Sequence, residues 1–326
     1  MKLAVGIITY NDISAKYLAD FLPSLKTALA FLKPDDYQVY AFDNSAPGFT
    51  DNRNILYLPS YQFIKYISEG RNLGFGRAYN ILIESALRDG AQYFLIINPD
   101  TILEPAAIRE LVAALDNDGS LASVGPKILR WHFIGRSKTN IIDSCGLILK
   151  PGLRFSDLGQ GQEDEGQFDR ASILGPTGAA GLFRLSALKN ISEHRGEHDQ
   201  NQYFDEHFFM YKEDCDLAYR LFLAGYKSYL VATSLIYHDR TAAVSGQNLG
   251  RILGDRRRKS RLIRSWSFRN QHLLFVKHWS KQNLRSKLAI IYRILLMFIF
   301  SLILEQFLLK EYYFIFFPSR VLTDTK

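Results

Sequence analysis

A chain of 326 residues, 47% hydrophobic and 22% charged, has the material for a large buried core and no stretch poor enough in apolar residues to stay unfolded, which excludes a disordered or fibrous protein. Its two cysteines, Cys145 and Cys215, exclude a disulfide framework and lack any zinc-like spacing, which fits a reducing compartment. The net charge of +7 is an uneven average: Arg251 to Lys287 holds twelve Lys or Arg against one acid, Asp255, so the rest of the chain is weakly acidic.

In chain order, Leu3 to Thr9 is a Val/Ile-rich run that reads as a strand and not as a signal peptide. A helical pattern follows through Tyr17, Leu18, Phe21, Leu22, Leu25 and Leu29. Tyr37 to Phe42 predicts a second strand ending at Asp43, Glu69 to Arg88 a helix, and Tyr93 to Ile97 a strand ending at Asn98. Pro105 opens a helix over Ala106 to Leu115, and Leu121 to Val124 is a strand. Such alternation implies an α/β, doubly wound, mostly parallel sheet. Trp131 to Asp169, with its Gly-rich acidic run Gln160 to Gly166, predicts hairpin and loop. Regular structure returns with Pro176 to Arg184, then a helix from Glu213 to a stop at Gly225, then a strand over Tyr226 to Tyr237.

Leu288 to Phe317 is apolar but interrupted by Arg293, Glu305, Lys310 and Glu311. Its charge-free part, Ile294 to Leu304, is shorter than the roughly 20 residues of a spanning helix. Those charges do not gather on one side of a helical wheel, so a clean interfacial helix is not expected either. Basic residues and aromatics flank the segment, so 251–317 is expected to meet an anionic membrane surface; a helix packed on the domain or on a twin subunit of a homo-oligomer is the alternative.

In doubly wound sheets ligands sit beyond the carboxyl ends of the strands. Thr9, Tyr10 and Asn11, then Asp43 and Asn44, then Asn98-Pro99-Asp100 all fall there. Each alone is a plain turn; together they predict one crevice. Asn72-Leu-Gly-Phe-Gly-Arg-Ala-Tyr-Asn80 places Tyr79 where a dinucleotide fingerprint needs its third glycine, which argues against a nicotinamide enzyme. Gly74 and Gly76 would still let backbone N–H groups approach phosphate, with Arg77 adding charge. Asp100 is the candidate ligand for a divalent cation, with His238 at the end of another strand as second ligand; turn chemistry and a satisfied structural histidine are the plain alternatives. Glu213, Asp214 and Asp216 open a helix, where capping is the ordinary role of acids. Functionally one of them, Asp214, would face the crevice as a general base, and Asp216, two residues on, points elsewhere.

Ile7-Ile-Thr-Tyr-Asn11, Phe42-Asp-Asn-Ser45, Asn72-Leu-Gly-Phe with Asn80, Ile97-Asn-Pro-Asp-Thr101, Thr177-Gly-Ala-Ala180, Phe204 to Leu217 and His238 with Ser245 stand in an order that resembles family 2 glycosyltransferases, the rhamnosyltransferase-like branch in particular. The resemblance covers roughly residues 1 to 245 and implies a GT-A fold with an inverting single displacement. It implies a nucleotide-sugar half at 1–100, an acceptor and catalytic half at 101–245, and a basic and apolar helical region at 246–326. On the donor side it implies Thr9, Tyr10 and Asp43 at the nucleobase and ribose, with Asn11, Asn72, Gly74, Arg77, Asn98 and Asp100 completing the site. Asp100 is similar to the last residue of the family's Asp-x-Asp motif, whose first position is Asn98 here, so His238 gains weight as a ligand of Mg2+ or Mn2+. Asp214 matches the family's base, and Thr177, Gly178 and Ala179, with Glu213, would form the acceptor side. The implied partners are a dTDP- or UDP-sugar and a glycan or lipid-linked acceptor at the cytoplasmic face of the plasma membrane.

A nucleotidyltransferase would share sheet and metal, but no Gly-rich, Arg/Lys-bearing loop follows the first strand. A nucleic-acid binder would use Arg251 to Lys287 with Trp266, Phe268 and Trp279, yet would leave Asp100 and Asp214 without a purpose, so nucleic acid is not expected. Asn190-Ile-Ser192 matches a glycosylation acceptor, which the compartment argues against, and His194, His198 and His207 lack a zinc-ligand spacing.

Overall fold

Leu3–Thr9, β1, is apolar on both faces, the mark of a strand covered by helices on each side. A computed structural model of the chain, describing residues 1–195, 200–240 and 259–316, pairs it in parallel with β2 (Tyr37–Asp43), which pairs with β3 (Ile64–Ser68). On its other side β1 meets β4 (Tyr93–Ile97), also parallel. The remaining strands are β5 (Thr101–Leu103), β6 (Leu121–His132), β7 (Ser137–Ser144), β8 (Leu147–Lys150), β9 (Arg154–Asp157), β10 (Ser172–Ile173), β11 (Ala180–Arg184), β12 (Glu193–Arg195), β13 (Gln200–Gln202) and β14 (Lys227–His238). The main sheet runs β10-β14-β6-β11-β4-β1-β2-β3. Its N-terminal half is wholly parallel, and β11 enters antiparallel between β4 and β6, so the other half is mixed.

Strand alternation divides the core. Leu3, Val5 and Ile7 face α1 (Asn11–Leu29) and, beyond a short α2 (Asp51–Leu56), share one cluster with α4 (Ala107–Asn117). Ala4, Tyr40 and Phe42 face α3 (Gly74–Arg88) with Ala78, Leu82 and Ile83, and this second cluster also takes in α5 (Leu185–Asn190) and α6 (Glu213–Leu223). The strand carboxyl ends are level: Thr9 lies beside Asp43 and Asp43 beside Ser68.

Three elements differ from their expected extents. The helix expected from Glu69 begins at Gly74, because Ile64–Ser68 is a strand; as an edge strand it carries Lys65 and Ser68 and lacks the continuous apolar run of its neighbours. The strand from Leu121 continues through Pro126 to His132, since its partner β14 shifts register at Val231 and needs no N–H from the proline. Of Pro176 to Arg184, only Ala180–Arg184 is strand.

The C-terminal helices build a third cluster with the outer side of α6. α7 (Arg261–His278), capped by Ser260, packs Phe268, Leu274 and Phe275 inward, the last two against Leu153, Phe208 and Tyr219. α8 (Leu284–Ile303) and α9 (Leu309–Phe316) follow. Three cations of the basic block are used internally: Lys277 pairs with Asp205 and Asp216, Arg264 with Glu305, and Arg269 is buried. Ser245 and Arg251 to Arg258 lie outside the described residues, as does His198.

Candidate active site

Asp43 is 2% exposed and encircled by donors at the strand ends. Its Oδ1 accepts from Thr9 Oγ1 at 2.9 Å and from Ser45 Oγ at 2.5 Å, and its Oδ2 accepts from Tyr66 OH at 2.8 Å. Burial and the Asp43 hydrogen bond together push the Tyr66 phenol up to about 12. The carboxylate is thus a fixed, pre-oriented acceptor.

The neighbouring candidates knit the loops around it. Asn11 sits at φ +44°, its N–H donating to Ser45 Oγ and its Oδ1 accepting from Ala46 N, so it ties the β1 and β2 ends together. Tyr10 is 37% exposed at the start of α1. Asn72 Oδ1 accepts from Gly74 N, and Asn44 bonds both Leu73 N and Gly74 O. Gly74 adopts φ +79°, and a Cβ there would meet Phe209 O at 2.4 Å; the loop before α6 crosses the start of α3 at that point, with Phe75 N–H donating to Phe209 O. Asn80 extends the junction by bonding the backbone of Tyr203 and Phe204. Asn72, Gly74 and Asn80 therefore join the N-terminal half to the Phe204–Lys212 loop. Arg77 is exposed on the first turn of α3, and among the described residues no hydrogen bond joins it to the other candidates.

Strand register brings Asp100 and His238 together: β14 pairs antiparallel with β5, setting His238 opposite Thr101. His238 Nε2 lies 3.3 Å from Asp100 Oδ1, an oxygen that is buried and has no hydrogen-bond partner. The backbone of Asp100 is pinned by Asp239 N–H and Trp131 Nε1–H, both donating to its carbonyl. Behind the imidazole, Nδ1 meets Asp143 Oδ2 at 2.9 Å, and Asp143 also receives Arg240. Burial opposes a charged His238, but Asp100 and Asp143 outweigh it and raise the imidazole to about 10. Burial likewise opposes ionisation of Asp143, yet His238, Arg240 and Arg130 hold its pKa below the usual carboxylate range. The pocket between Asp100 and Asp143 therefore favours positive charge. A divalent cation against the orphaned Asp100 oxygen and a neutral Nε2 meets that demand, and one carboxylate plus one imidazole leaves positions for phosphate oxygens and water. Asp100 and His238 offer two protein ligands of the kinds a divalent cation takes, and among the described residues no group of three or more His, Cys, Asp or Glu is gathered to hold a metal ion.

Asp214 stands in the first turn of α6, entered through left-handed Tyr211 and Lys212 at φ +73° and +75°. Its Oδ2 accepts from Gly178 N–H at 3.0 Å and its Oδ1 from its own helix at Cys215 N–H. One residue along, Ala179 O accepts from Asn98 N–H at 2.9 Å. Thr177 to Ala179 thus touches both the β4 end that carries Asp100 and the helix that carries Asp214. Asp216 points away, fully buried and paired with Arg220, Lys277 and His278. Glu213, expected on the acceptor side, is buried with Oε2 unpartnered; burial, then the Asp214 charge, raises its pKa well above the ordinary carboxylate value. His207 pairs with Asp205.

Sequence reasoning missed Asp143, Arg240, Tyr66 and Asn270. The one signal for Asp143 was an acid following Ile141 and Ile142, at an inward position of a hairpin strand. Asn270 Nδ2 donates to Met210 O and Tyr211 O, so α7 holds the strained turn before Asp214.

The model of the family described as Glycosyl transferase family 2 matches residues 4–191. Over 262 residues the chain is 27% identical to the N-acetylglucosaminyl-diphospho-decaprenol L-rhamnosyltransferase of Mycobacterium tuberculosis, covering 73% of this chain and 76% of that one. Over 148 residues it is 29% identical to dTDP-rhamnosyl transferase RfbF of Shigella flexneri, covering 45% and 44%. In fold it is similar to GalNAc-T7 with UDP, GalNAc and Mn2+ (TM-score 0.53, 12% identity), covering 73% of this chain and 43% of that one. S. aureus TarS 1–349 in complex with UDP-GlcNAc gives TM-score 0.50 at 16% identity, covering 84% and 66%.

Proposed function

The chain belongs to glycosyl transferase family 2 and is a glycosyltransferase; from that premise we propose that it moves a sugar, rhamnose foremost, from a dTDP- or UDP-linked donor to a hydroxyl of a glycan or lipid-linked acceptor, inverting the anomeric centre. The observation that carries the reading is the shared loop: Asn98 N–H donates to Ala179 O and Gly178 N–H donates to Asp214, so the turn of Asp100 and the helix of Asp214 are tied to one short segment, which supports a cation-holding and a proton-accepting carboxylate on a common crevice. The names of the relatives support the sugar and the acceptor: one uses dTDP-rhamnose, the other acts on a sugar linked to a lipid diphosphate. A lipid-linked acceptor of surface polysaccharide sets the reaction at the cytoplasmic face of the plasma membrane.

Thr9, Tyr10 and Asp43 receive the nucleoside, Asp43 as acceptor. Asp214 takes the acceptor's hydroxyl proton as that oxygen bonds to the anomeric carbon and the bond to the diphosphate breaks. Gly178 N–H keeps the Asp214 carboxylate oriented while this happens. Asp100 and His238 would hold Mg2+ or Mn2+, which supplies Lewis-acid stabilisation of the departing diphosphate. Asp143 engages Nδ1 of His238 and so leaves Nε2 directed at Asp100. Incubation with a panel of nucleotide sugars and either metal is expected to release free nucleoside diphosphate; release of pyrophosphate instead would show a nucleotidyltransferase.

A further inference from the structure

α8 wears its amphipathicity inside out. The face it turns to the body includes buried Ser301 and half-buried Arg293, whose guanidinium lies 5.9 Å from the Phe275 ring centre, beside Ile290, Ile294 and Met297. The outward face carries Leu288, Tyr292, Leu295, Ile299, Leu302 and Ile303, each at least 43% exposed and Ile303 71%. The helix is 20 residues long, and its most apolar 18-residue stretch has a mean hydropathy of 2.0 with 11% of it buried. An apolar face about 30 Å long is more than a water-facing surface leaves bare.

Both ends of α8 are moored to the transferase body. At its start Ser286 Oγ donates to Gln282, whose Nε2 donates to Tyr219 OH on α6. One turn further in, the Gly152 turn between β8 and β9 lies against Ala289, and past it Ile294 and Met297 pack on the cluster of Leu153, Phe155 and Tyr219. Just past its end Glu305 receives Arg264 of α7 at 2.6 Å. A helix fastened along its length to one folded body cannot thread a bilayer without dragging the β8–β9 hairpin into hydrocarbon, where irregular backbone is not tolerated. The bordering charge is of one sign. The only acids between residues 259 and 316, Glu305 and Glu311, are buried, while Arg261, Lys281, Arg285 and Lys310 are exposed. Trp279, 37% exposed with Lys287 Nζ 5.6 Å from its ring, stands before the N-terminal end of the face.

We propose that the outward face of α8 lies in the plane of an anionic bilayer, its leucines and isoleucines at the acyl boundary and its cationic border among the headgroups, without crossing. Cation-only flanks complement a phospholipid surface. The inference concerns binding without donor or acceptor, so it stands or fails separately from the transfer chemistry.

Flotation of the full chain with vesicles of phosphatidylcholine, alone or mixed with phosphatidylglycerol, tests it. The expected result is binding to the anionic vesicles that weakens with salt and falls at least about tenfold in a Leu295→Glu, Ile299→Glu, Leu302→Glu variant of unchanged Tm. Equal binding by that variant would overturn the proposal. So would an absence of vesicle binding together with a dimer, seen by light scattering, that the variant dissolves; the occupant would then be a second copy. Arg285→Cys and Gln306→Cys, made separately, are expected to react with a membrane-impermeant maleimide from the same side of sealed vesicles, the native Cys145 and Cys215 being buried. Labelling from opposite sides would mean that the helix crosses.

Discussion

Gly178 donates its backbone N–H to Asp214 Oδ2 at 3.0 Å, so the carboxylate of α6 is aimed by a loop more than thirty residues away in sequence. The same loop receives Asn98 through Ala179. The turn that carries Asp100 and the helix that carries Asp214 therefore keep a fixed relation that neither helix nor strand would impose alone.

Asp214→Asn preserves the shape at that bond and removes the proposed base. Transfer is expected to fall by about 10²- to 10⁴-fold in kcat while donor affinity, read by calorimetry, stays within about twofold. Retained turnover would remove Asp214 from the chemistry.

Asp143→Ala takes away the acceptor behind His238 Nδ1 without touching Asp100. Metal-dependent donor binding is expected to weaken about 10- to 100-fold, with Asp143→Asn intermediate because an amide oxygen still accepts. Asp100→Ala is expected to abolish the metal dependence; an unchanged titration in either alanine variant would count against the Asp100 and His238 pair.

Asp205 and Asp216 are both held well below the ordinary carboxylate range: burial resists their ionisation, and it is overcome by His207 and Lys277 for the first and by Arg220, His278 and Lys277 for the second. Their folded values lie below the unfolded value of about 3.9, so the stabilisation is complete above that pH and drains away as pH falls through the folded values. Urea midpoints measured below about pH 4 are expected to drop steeply, and Asp216→Ala to cost about 3–5 kcal/mol at neutral pH by stranding Arg220, Lys277 and His278.

Glu213 has the opposite sign. Its folded pKa is raised by burial and by Asp214, so the wild type loses stability as pH climbs from the unfolded value of about 4.3 towards the folded one, at up to about 1.4 kcal/mol per pH unit. Glu213→Gln, isosteric with the protonated acid, is expected to flatten that decline in a Tm series against pH; a slope equal to wild type would show that Glu213 does not cause it.

Gly74→Ala places a methyl 2.4 Å from Phe209 O at a backbone φ of +79°. A loss of at least about 2 kcal/mol in chemical denaturation is expected. Gly90→Ala, also at positive φ but with nothing within 4 Å, gives the cost of the backbone conformation alone.

The strand ends at Thr9, Asp43 and Asn98 were legible because a buried parallel strand shows as a continuous apolar run that stops at its turn residues. β3 was not: Lys65 and Ser68 break its run because an edge strand needs no such burial. Asp214 and Asp216 look alike in sequence, two acids in one helical turn, and tertiary contact separates them, since Lys277 and His278 arrive from 61 and 62 residues away. For the same reason the internal roles of Lys277 and Arg264 within the basic block were not legible: their acidic partners Asp205, Asp216 and Glu305 are invisible until the chain is folded.

Asn270 closes the turn that delivers Asp214, bonding Met210 O and Tyr211 O at 2.8 and 2.7 Å. Truncating the polypeptide at the last recognisable motif would keep Asp100, Asp214 and His238 and discard the clasp on the turn that leads into Asp214. The unit that evolution can copy as a set of motifs is smaller than the unit that must fold for the chemistry to be in register.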